Sequence, residues 1–346
     1  MKTPAAILFE QRQPLVIDEV EIPSLGYGQV LVEVSASRIC GSQLGEIDGV
    51  KGPDKFLPHL LGHEGGGIVL EIGPEVSHVK TGDHVVLHWR PGAGIQARPA
   101  SYRLGSRTVN AGNITTFQNF TVVSENRVTR IPADVDFEVA ALLADTLTTG
   151  FGVVTRNARV AIGESAVVIG VGGIGLGTVL GAHLAGAHPI IAADLYDHKL
   201  AKAREYGATH EVNTRRQPLP DAITRILGGP ADAVFEFTGN PAVIDQAWRV
   251  TGPKGRLILV GVMRHDQQLS LNTLPLHFGK VLSGSEGGSC QPDLDIPRYL
   301  RMIAGDRFDP RGMVSHRCRL PEINEAIARM RAGESIHTMI HFGAAA

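Results

Sequence analysis

The chain has little of what marks several large classes of protein. It contains three cysteines in 346 residues, too few and too scattered for a disulfide framework. Its formal net charge of −2 lacks the basic excess of a nucleic-acid-binding protein. Its first residues lack the long apolar core of a secretory signal peptide. These absences predict a cytoplasmic protein without a nucleic-acid partner.

Long apolar runs are also scarce. Residues 166–193 carry no charged side chain until Asp194 and are long enough to span a bilayer. Glycines interrupt this stretch throughout, and Pro189 stands near its end. Its two β-branched ends and glycine-rich middle predict a strand, a loop, a helix and a second strand, all buried in an α/β core. No membrane partner is expected.

The remaining composition is that of a globular protein, with 43% hydrophobic and 20% charged residues. The length suggests two domains. Residues 1–146 are predicted to be mostly β, because short apolar runs alternate with Pro, Gly and Asn clusters. Residues 90–119 interrupt this pattern and predict a long polar loop. The predicted strands are 5–9, 30–34, 67–72, 83–88 and 120–123, and a helix is predicted at 136–147.

Residues 147–286 show a different pattern, in which predicted strands alternate with predicted helices. Such alternation predicts a doubly wound parallel sheet of about six strands. Residues 287–346 form a third segment with helical patterns at 294–303 and 323–332. The six predicted strands are 166–170, 189–193, 210–213, 233–238, 256–260 and 280–284.

A glycine pattern of the form G-x-G-x-x-G follows the first of these strands. The spacing predicts that Gly170 makes the turn, Gly172 admits a pyrophosphate and Gly175 lets a helix pack on the strand. Asp194 ends the next strand about twenty residues later, where an acid hydrogen-bonds a ribose 2′-hydroxyl and repels a 2′-phosphate. The pattern predicts NAD rather than NADP. The assigned residues are Gly170, Gly172, Gly173, Ile174, Gly175 and Asp194.

A second pattern lies at residues 61–69, where His63 and Glu64 stand side by side on a glycine-flanked turn. Such a turn holds an imidazole nitrogen rigidly, which suits a metal ligand. Alone the pattern is weak, because a histidine near glycines is more often a surface or packing residue. Cys40 upstream and the glycine pattern downstream strengthen the metal interpretation.

Taken together, these motifs resemble those of the zinc-dependent medium-chain alcohol dehydrogenases over essentially the full length. The resemblance implies a mostly-β GroES-like catalytic domain at 1–146, a Rossmann NAD-binding domain at 147–286, and a C-terminal segment at 287–346 that returns to the first. It also implies a cleft that holds zinc and nicotinamide. The motifs are Cys40-Gly41-Ser42, Gly62-His63-Glu64 with the glycines 65–67, Gly82-Asp83, the 170–175 pattern and Gly333-Glu334-Ser335-Ile336.

The resemblance assigns the catalytic zinc to Cys40, His63 and Asp145, the last of which stands where many relatives have cysteine. Three protein ligands and one open position suit a catalytic zinc. Glu64 fits a transient fourth ligand or a structural residue of the turn nearly equally. Relatives with a second, structural zinc carry four cysteines in the loop that corresponds to 90–119, and this loop has none. One zinc per chain is therefore expected.

Other positions follow or depart from the family. Ser42 is the proton acceptor that the resemblance implies, but Gly45 replaces the histidine that ends the proton relay of the best-known relatives. Gln43 replaces an aspartate that orients the zinc histidine, and its amide oxygen is expected to accept the same ring N–H. Trp89 could line the substrate pocket or pack in the hydrophobic core, and the sequence favours neither role. The remaining cofactor assignments are Lys199, Val260, Val262 and, in place of an arginine, His337.

These observations predict an NAD-dependent zinc alcohol dehydrogenase that transfers hydride between an alcohol or polyol and NAD. Two alternatives stay open: a zinc-free quinone or enoyl reductase of the same fold, and a nucleotide-binding relative without catalysis. The expected partners are a small alcohol or carbonyl substrate and further copies of the chain, as a homodimer or homotetramer. Primary alcohols, secondary alcohols and polyols all remain open as substrates.

Overall fold

The computed structural model describes residues 1–343, which form two compact units. Met1–Asp145 and the segment from Gln291 onwards make the first unit, and Thr146–Cys290 makes the second. The chain therefore leaves the first unit directly after Asp145 and re-enters it at Gln291. The predicted boundaries lay after residues 146 and 286.

The first unit is mostly β, as predicted. The elements up to Asp145 are β1 (Lys2–Leu8), β2 (Val16–Glu21), β3 (Gln29–Ile39), α1 (Gly41–Ile47), β4 (His59–Leu60), β5 (Glu64–Ile72), β6 (His84–His88), β7 (Ser101–Leu104), β8 (Arg107–Asn110), β9 (Phe120–Ser124), β10 (Val128–Ile131) and α2 (Phe137–Ala144). Five of these strands, β1, β3, β5, β6 and β9, overlap the five predicted apolar runs. Strands β1, β2, β7, β8 and β4 close into a small barrel.

The prediction of an unbroken loop at residues 90–119 is wrong, because β7 and β8 form an antiparallel hairpin within it. Each strand sends one large side chain, Tyr102 or Val109, fully into the core. A single inward residue in each four-residue strand is too short a pattern to recognise as alternation. The start of this segment is held by the carboxylate of Glu125, which accepts the backbone N–H of Ile95 at 2.8 Å.

The second unit is the predicted doubly wound sheet. Its elements are α3 (Thr146–Gly152), β11 (Ala166–Ile169), α4 (Gly173–Leu184), β12 (Ile190–Asp194), α5 (Asp197–Glu205), β13 (His210–Asn213), α6 (Leu219–Leu227), β14 (Ala231–Glu236), α7 (Pro241–Val250), β15 (Thr251–Leu259) and β16 (Val281–Gly284). The six strands are parallel and lie in the order β13-β12-β11-β14-β15-β16. Apolar side chains of α6 and α7, such as Ile223 and Trp248, pack with those of the sheet in one core.

The last segment adds to the first unit two helices, α8 (Pro292–Ala304) and α9 (Ile323–Arg331), and two strands, β17 (Val314–Arg319) and β18 (His337–His341). The helices overlap the predicted ones, while the strands were not predicted. β18 pairs antiparallel with β3, the strand that leads to Cys40. The resulting sheet runs β10-β6-β5-β3-β18-β17, with β9 also paired to β3. β18 thus lies beside the strand that leads to the candidate metal ligand Cys40.

One helical run, Phe137–Ala158, is long and apolar enough to cross a membrane by length and composition alone. However, 94% of its most apolar window is buried inside the protein, as in the core helix of a soluble fold. Residues 166–193, which also have the length of a span, form β11, α4 and β12 instead. Both runs are therefore accounted for by packing within the protein.

Candidate metal centre and cofactor site

Three distant segments of the first unit bring four metal-binding side chains together. Cys40 lies between β3 and α1, His63 and Glu64 stand where β5 begins, and Asp145 follows α2. One ligand atom from each residue lies within 4.8 Å of the ligand atoms of the other three. All four residues named from the sequence therefore meet in one cluster.

A tight turn holds His63 in this cluster. Gly62 has a φ of +92°, which side-chain-bearing residues rarely adopt. A Cβ atom at Gly62 would also lie 2.4 Å from the hydroxyl oxygen of Thr116, so the backbone there approaches its neighbour more closely than any other residue allows. The glycine before the histidine thus fixes the direction in which the imidazole points.

Asp145 reaches the cluster because the helix breaks there. Its φ of −144° and ψ of −50° are not helical, and they separate α2 from α3. Its Oδ2 atom lies 3.6 Å from His63 Nε2 and 3.8 Å from Cys40 Sγ. Its other oxygen, Oδ1, accepts a hydrogen bond from the indole N–H of Trp89 at 2.9 Å. Trp89 therefore orients a candidate ligand, a role that neither sequence interpretation of this residue included.

The chemistry of the cluster fits a divalent cation. Burial alone would lower the pKa of His63, but hydrogen bonds to Asp145 and Cys40 raise that pKa well above its usual range. Within residues 1–343, the Oε2 atom of the buried Glu64 accepts no hydrogen bond, while its Oε1 atom lies 2.7 Å from a guanidinium nitrogen of Arg38. Such buried oxygens, beside a thiol and an imidazole, form the donor set that suits zinc.

A buried arginine accompanies the cluster and was missed in the sequence. Arg38 of β3 places Nη2 2.7 Å from Glu64 Oε1. Its Nη1 lies 3.1 Å from Nδ1 of His337, which accepts because a guanidinium only donates. His337 is fully buried in β18, so its assignment to the cofactor stays a prediction. The signal was a charged residue two positions before Cys40, at the alternating positions that Val30, Val32, Val34 and Ala36 occupy earlier in the strand.

Gln43 lies beside the ring of His63, but its amide is turned the opposite way from the expectation. Its amide oxygen accepts the backbone N–H of Cys40 at 2.8 Å, and its amide nitrogen faces His63 Nδ1. The backbone N–H of Cys40, at the start of α1, donates to the amide oxygen of Gln43 because it has no acceptor within the helix. A metal on Nε2 would leave the ring proton on Nδ1, so the amide must turn to accept it. An aspartate could serve both N–H groups at once.

The dinucleotide pattern has the predicted backbone geometry in the second unit. Gly170 has a φ of +89°, and α4 begins directly after Gly172. A Cβ atom at Gly172 would meet nothing within 4 Å, which leaves room for a ligand. A Cβ atom at Gly175 would lie 2.0 Å from the carbonyl oxygen of Gly170, so only glycine lets the helix pack there. The loop thus presents the N-terminus of α4 to an anion.

Asp194 ties this loop to the next strand. Its Oδ2 atom accepts the backbone N–H of Val171 at 2.9 Å, and its Oδ1 atom accepts that of Leu195 at 2.7 Å. Asp194 also lines a cavity of about 890 Å³, whose wall includes Gly170, the predicted Lys199 and the unpredicted Arg215. Val260 and Val262 follow β15 outside this lining. The cofactor roles of these residues stay predictions.

The comparisons with known proteins agree with this geometry. Residues 26–133 match the model of the alcohol dehydrogenase GroES-like domain, and residues 173–305 match that of the zinc-binding dehydrogenases. An S-(hydroxymethyl)glutathione dehydrogenase of Paracoccus denitrificans is 31% identical over 98% of this chain and 100% of its own length. The chain belongs to the zinc-dependent medium-chain alcohol dehydrogenases.

Other members of this family support the same placement. A class-3 alcohol dehydrogenase of Cereibacter sphaeroides is 32% identical over 99% of this chain and all of its own. The crystal structure of benzyl alcohol dehydrogenase from Acinetobacter calcoaceticus superposes with a TM-score of 0.89 at 27% identity, covering 99% and 100% of the two chains. The protein is a zinc alcohol dehydrogenase that uses NAD, as the sequence predicts. The zinc-free reductase and the non-catalytic relative are set aside.

Proposed function

We propose that Cys40, His63 and Asp145 hold the single zinc of this enzyme and that Ser42 accepts the proton of the alcohol. The meeting of these ligands, with their donor atoms within 4.8 Å of one another, carries the proposal. When bound, zinc lowers the pKa of an alcohol oxygen by several units and NAD accepts the hydride. Glu64 stands as a neighbour of the metal, and Trp89 as the residue that orients Asp145.

The position of Ser42 supports its role in proton transfer. Ser42 lies in α1 two residues after Cys40. Its Oγ atom is buried and has no hydrogen-bond partner within the described chain. A hydroxyl without a competing partner is free to accept a proton from a substrate and to pass its own proton onward. Gly45 offers no side chain for the next step, so water or another group must complete the relay.

The experiment is an alcohol panel read as NADH formation, with bound zinc measured on the same protein. The panel contains S-(hydroxymethyl)glutathione, benzyl alcohol and 2,3-butanediol, which are the compounds that relatives and structural neighbours of the chain are named for. Ser42→Ala is expected to reduce turnover by about 10²- to 10⁴-fold, the usual contribution of a positioned acid or base. Ser42→Thr, which keeps the hydroxyl, is the matched control. Full turnover of Ser42→Ala would remove Ser42 from the mechanism.

We also propose that the enzyme works in the cytoplasm as a homodimer or homotetramer. The support is the edge strand β16 of the second unit, where Val281 is exposed. The nearby side chains of Leu274 and Phe278 are exposed as well. Apolar residues along an open strand edge favour pairing with another chain. Light scattering on the purified protein tests this, and a monomer at micromolar concentration would contradict it.

A further inference from the structure

The guanidinium of Arg38 is a permanent positive charge that lies beside the metal cluster described above. Arg38 is 2% exposed and lies in β3, where its neighbours Ser37 and Ile39 are fully buried. Burying an arginine is costly unless a partner compensates its charge. A buried arginine in this strand therefore requires a negatively charged partner.

That partner is Glu64, the fourth member of the cluster. The Nη2 atom of Arg38 lies 2.7 Å from Glu64 Oε1, while the same oxygen lies 3.8 Å from His63 Nε2. On the other side of the guanidinium, Nη1 meets His337 Nδ1 at 3.1 Å. The planar guanidinium is thus fixed from both sides, and it holds Glu64 by charge in a defined place.

The balance of charges indicates what this contact does. A thiolate at Cys40 and carboxylates at Glu64 and Asp145 supply three negative charges, one more than a zinc ion neutralises. Arg38 supplies the missing positive charge. Without it, the oxygen of Glu64 would have the metal as its nearest source of positive charge.

We propose that Arg38 is a positioning residue of the metal centre, which holds Glu64 back from the zinc and thereby keeps the fourth coordination position for the substrate. This inference rests on the proposed zinc ligands. Removing the guanidinium releases Glu64 to become a protein ligand, which closes the position that a catalytic zinc must leave open. When Arg38 and Glu64 are both replaced by uncharged residues, no carboxylate remains at position 64 to bind the zinc.

The test compares Arg38→Met, Arg38→Lys, Glu64→Gln and the double variant Arg38→Met/Glu64→Gln. Each is measured for the rate of zinc release to a chelator, for the visible spectrum after cobalt substitution, and for kcat and KM. Arg38→Met is expected to release zinc about tenfold more slowly, to change the cobalt spectrum and to lower kcat. The double variant is expected to recover the wild-type spectrum and release rate, and Arg38→Lys to lie close to wild type.

Glu64→Gln keeps the proposal testable if Arg38→Met does not fold. If Glu64 does not bind the metal, Glu64→Gln should have the cobalt spectrum and the zinc release rate of the wild type. Faster zinc release with an altered spectrum in Glu64→Gln would show that Glu64 is already a ligand and would overturn the role of Arg38. Equal behaviour of Arg38→Met and the double variant would overturn it too. Wild-type protein that binds no zinc would instead refute the proposed ligands themselves.

Discussion

The metal centre and the dinucleotide site are built in different ways. The metal centre joins side chains that are far apart in the chain, since the contact between Cys40 and Asp145 spans 105 positions. The dinucleotide site is formed by one short backbone loop, and its contact between Val171 and Asp194 spans 23 positions. One site depends on a few specific metal-ligating side chains, and the other on the backbone N–H groups of a loop and a helix N-terminus. Single substitutions should therefore affect the metal centre more strongly.

The largest effect is expected at Asp145. Asp145→Asn removes a negative charge at nearly constant shape, so it should lose zinc and lower turnover by on the order of 100-fold or more, since the Lewis acid supplies several kcal/mol. Asp145→Cys restores the charge with a thiolate and should retain zinc. Zinc content and turnover are measured on both variants. Full zinc and near-normal turnover in Asp145→Asn would remove Asp145 from the ligand set.

A smaller loss is expected at Trp89, which supports the metal centre through its hydrogen bond to Asp145. Trp89→Phe keeps an aromatic ring but removes the N–H that Asp145 Oδ1 accepts. Partners that orient a metal ligand typically contribute about 10- to 100-fold to metal affinity, and the variant should lose zinc affinity on that scale. Trp248→Phe, in the core of the second unit, is the matched control. Equal zinc affinities in the two variants would show that the Trp89 hydrogen bond does not support the metal.

The smallest effect is expected in the dinucleotide site, at Asp194. Asp194→Gly should narrow the preference for NAD over NADP by about 1–3 kcal/mol, the value of a hydrogen bond to a charged group. The ratio of kcat/KM for the two cofactors is the measurement, because losses from a loosened loop affect both cofactors alike. Asp197→Asn removes an exposed acid nearby and should leave the ratio as it is. An unchanged ratio in Asp194→Gly would show that Asp194 is not the ribose acid.

The difference between the two sites also explains what could be predicted from the sequence. The pattern of Gly170 to Gly175 is local; Gly170 and Gly175 have the predicted backbone geometry, and Gly172 has open space beside it. Cys40, His63 and Asp145 could be placed together only through the resemblance to a family, because no local pattern connects them. The doubly wound parallel sheet of the second unit was predicted from alternating strands and helices for the same local reason.

The residues that were missed or misassigned depend on contacts across the fold. Arg38 pairs with Glu64 between neighbouring strands, and its charge gave no sign of a partner. Gln43 was expected to serve His63, but the N–H of Cys40 at the start of α1 competes for the same oxygen. The β7–β8 hairpin rests on one inward side chain per strand, Tyr102 and Val109. The residues next to a position in the sequence do not show which groups from other parts of the fold will compete for its hydrogen bonds.

The central claim is that one zinc is bound by Cys40, His63 and Asp145. Anomalous diffraction at the zinc absorption edge, from crystals of the protein purified without chelator, tests it most directly. The account predicts one zinc peak per chain, within bonding distance of Cys40 Sγ, His63 Nε2 and Asp145 Oδ2. The absence of a peak at this cluster, or a second zinc held by the cysteine-free segment 90–119, would contradict it.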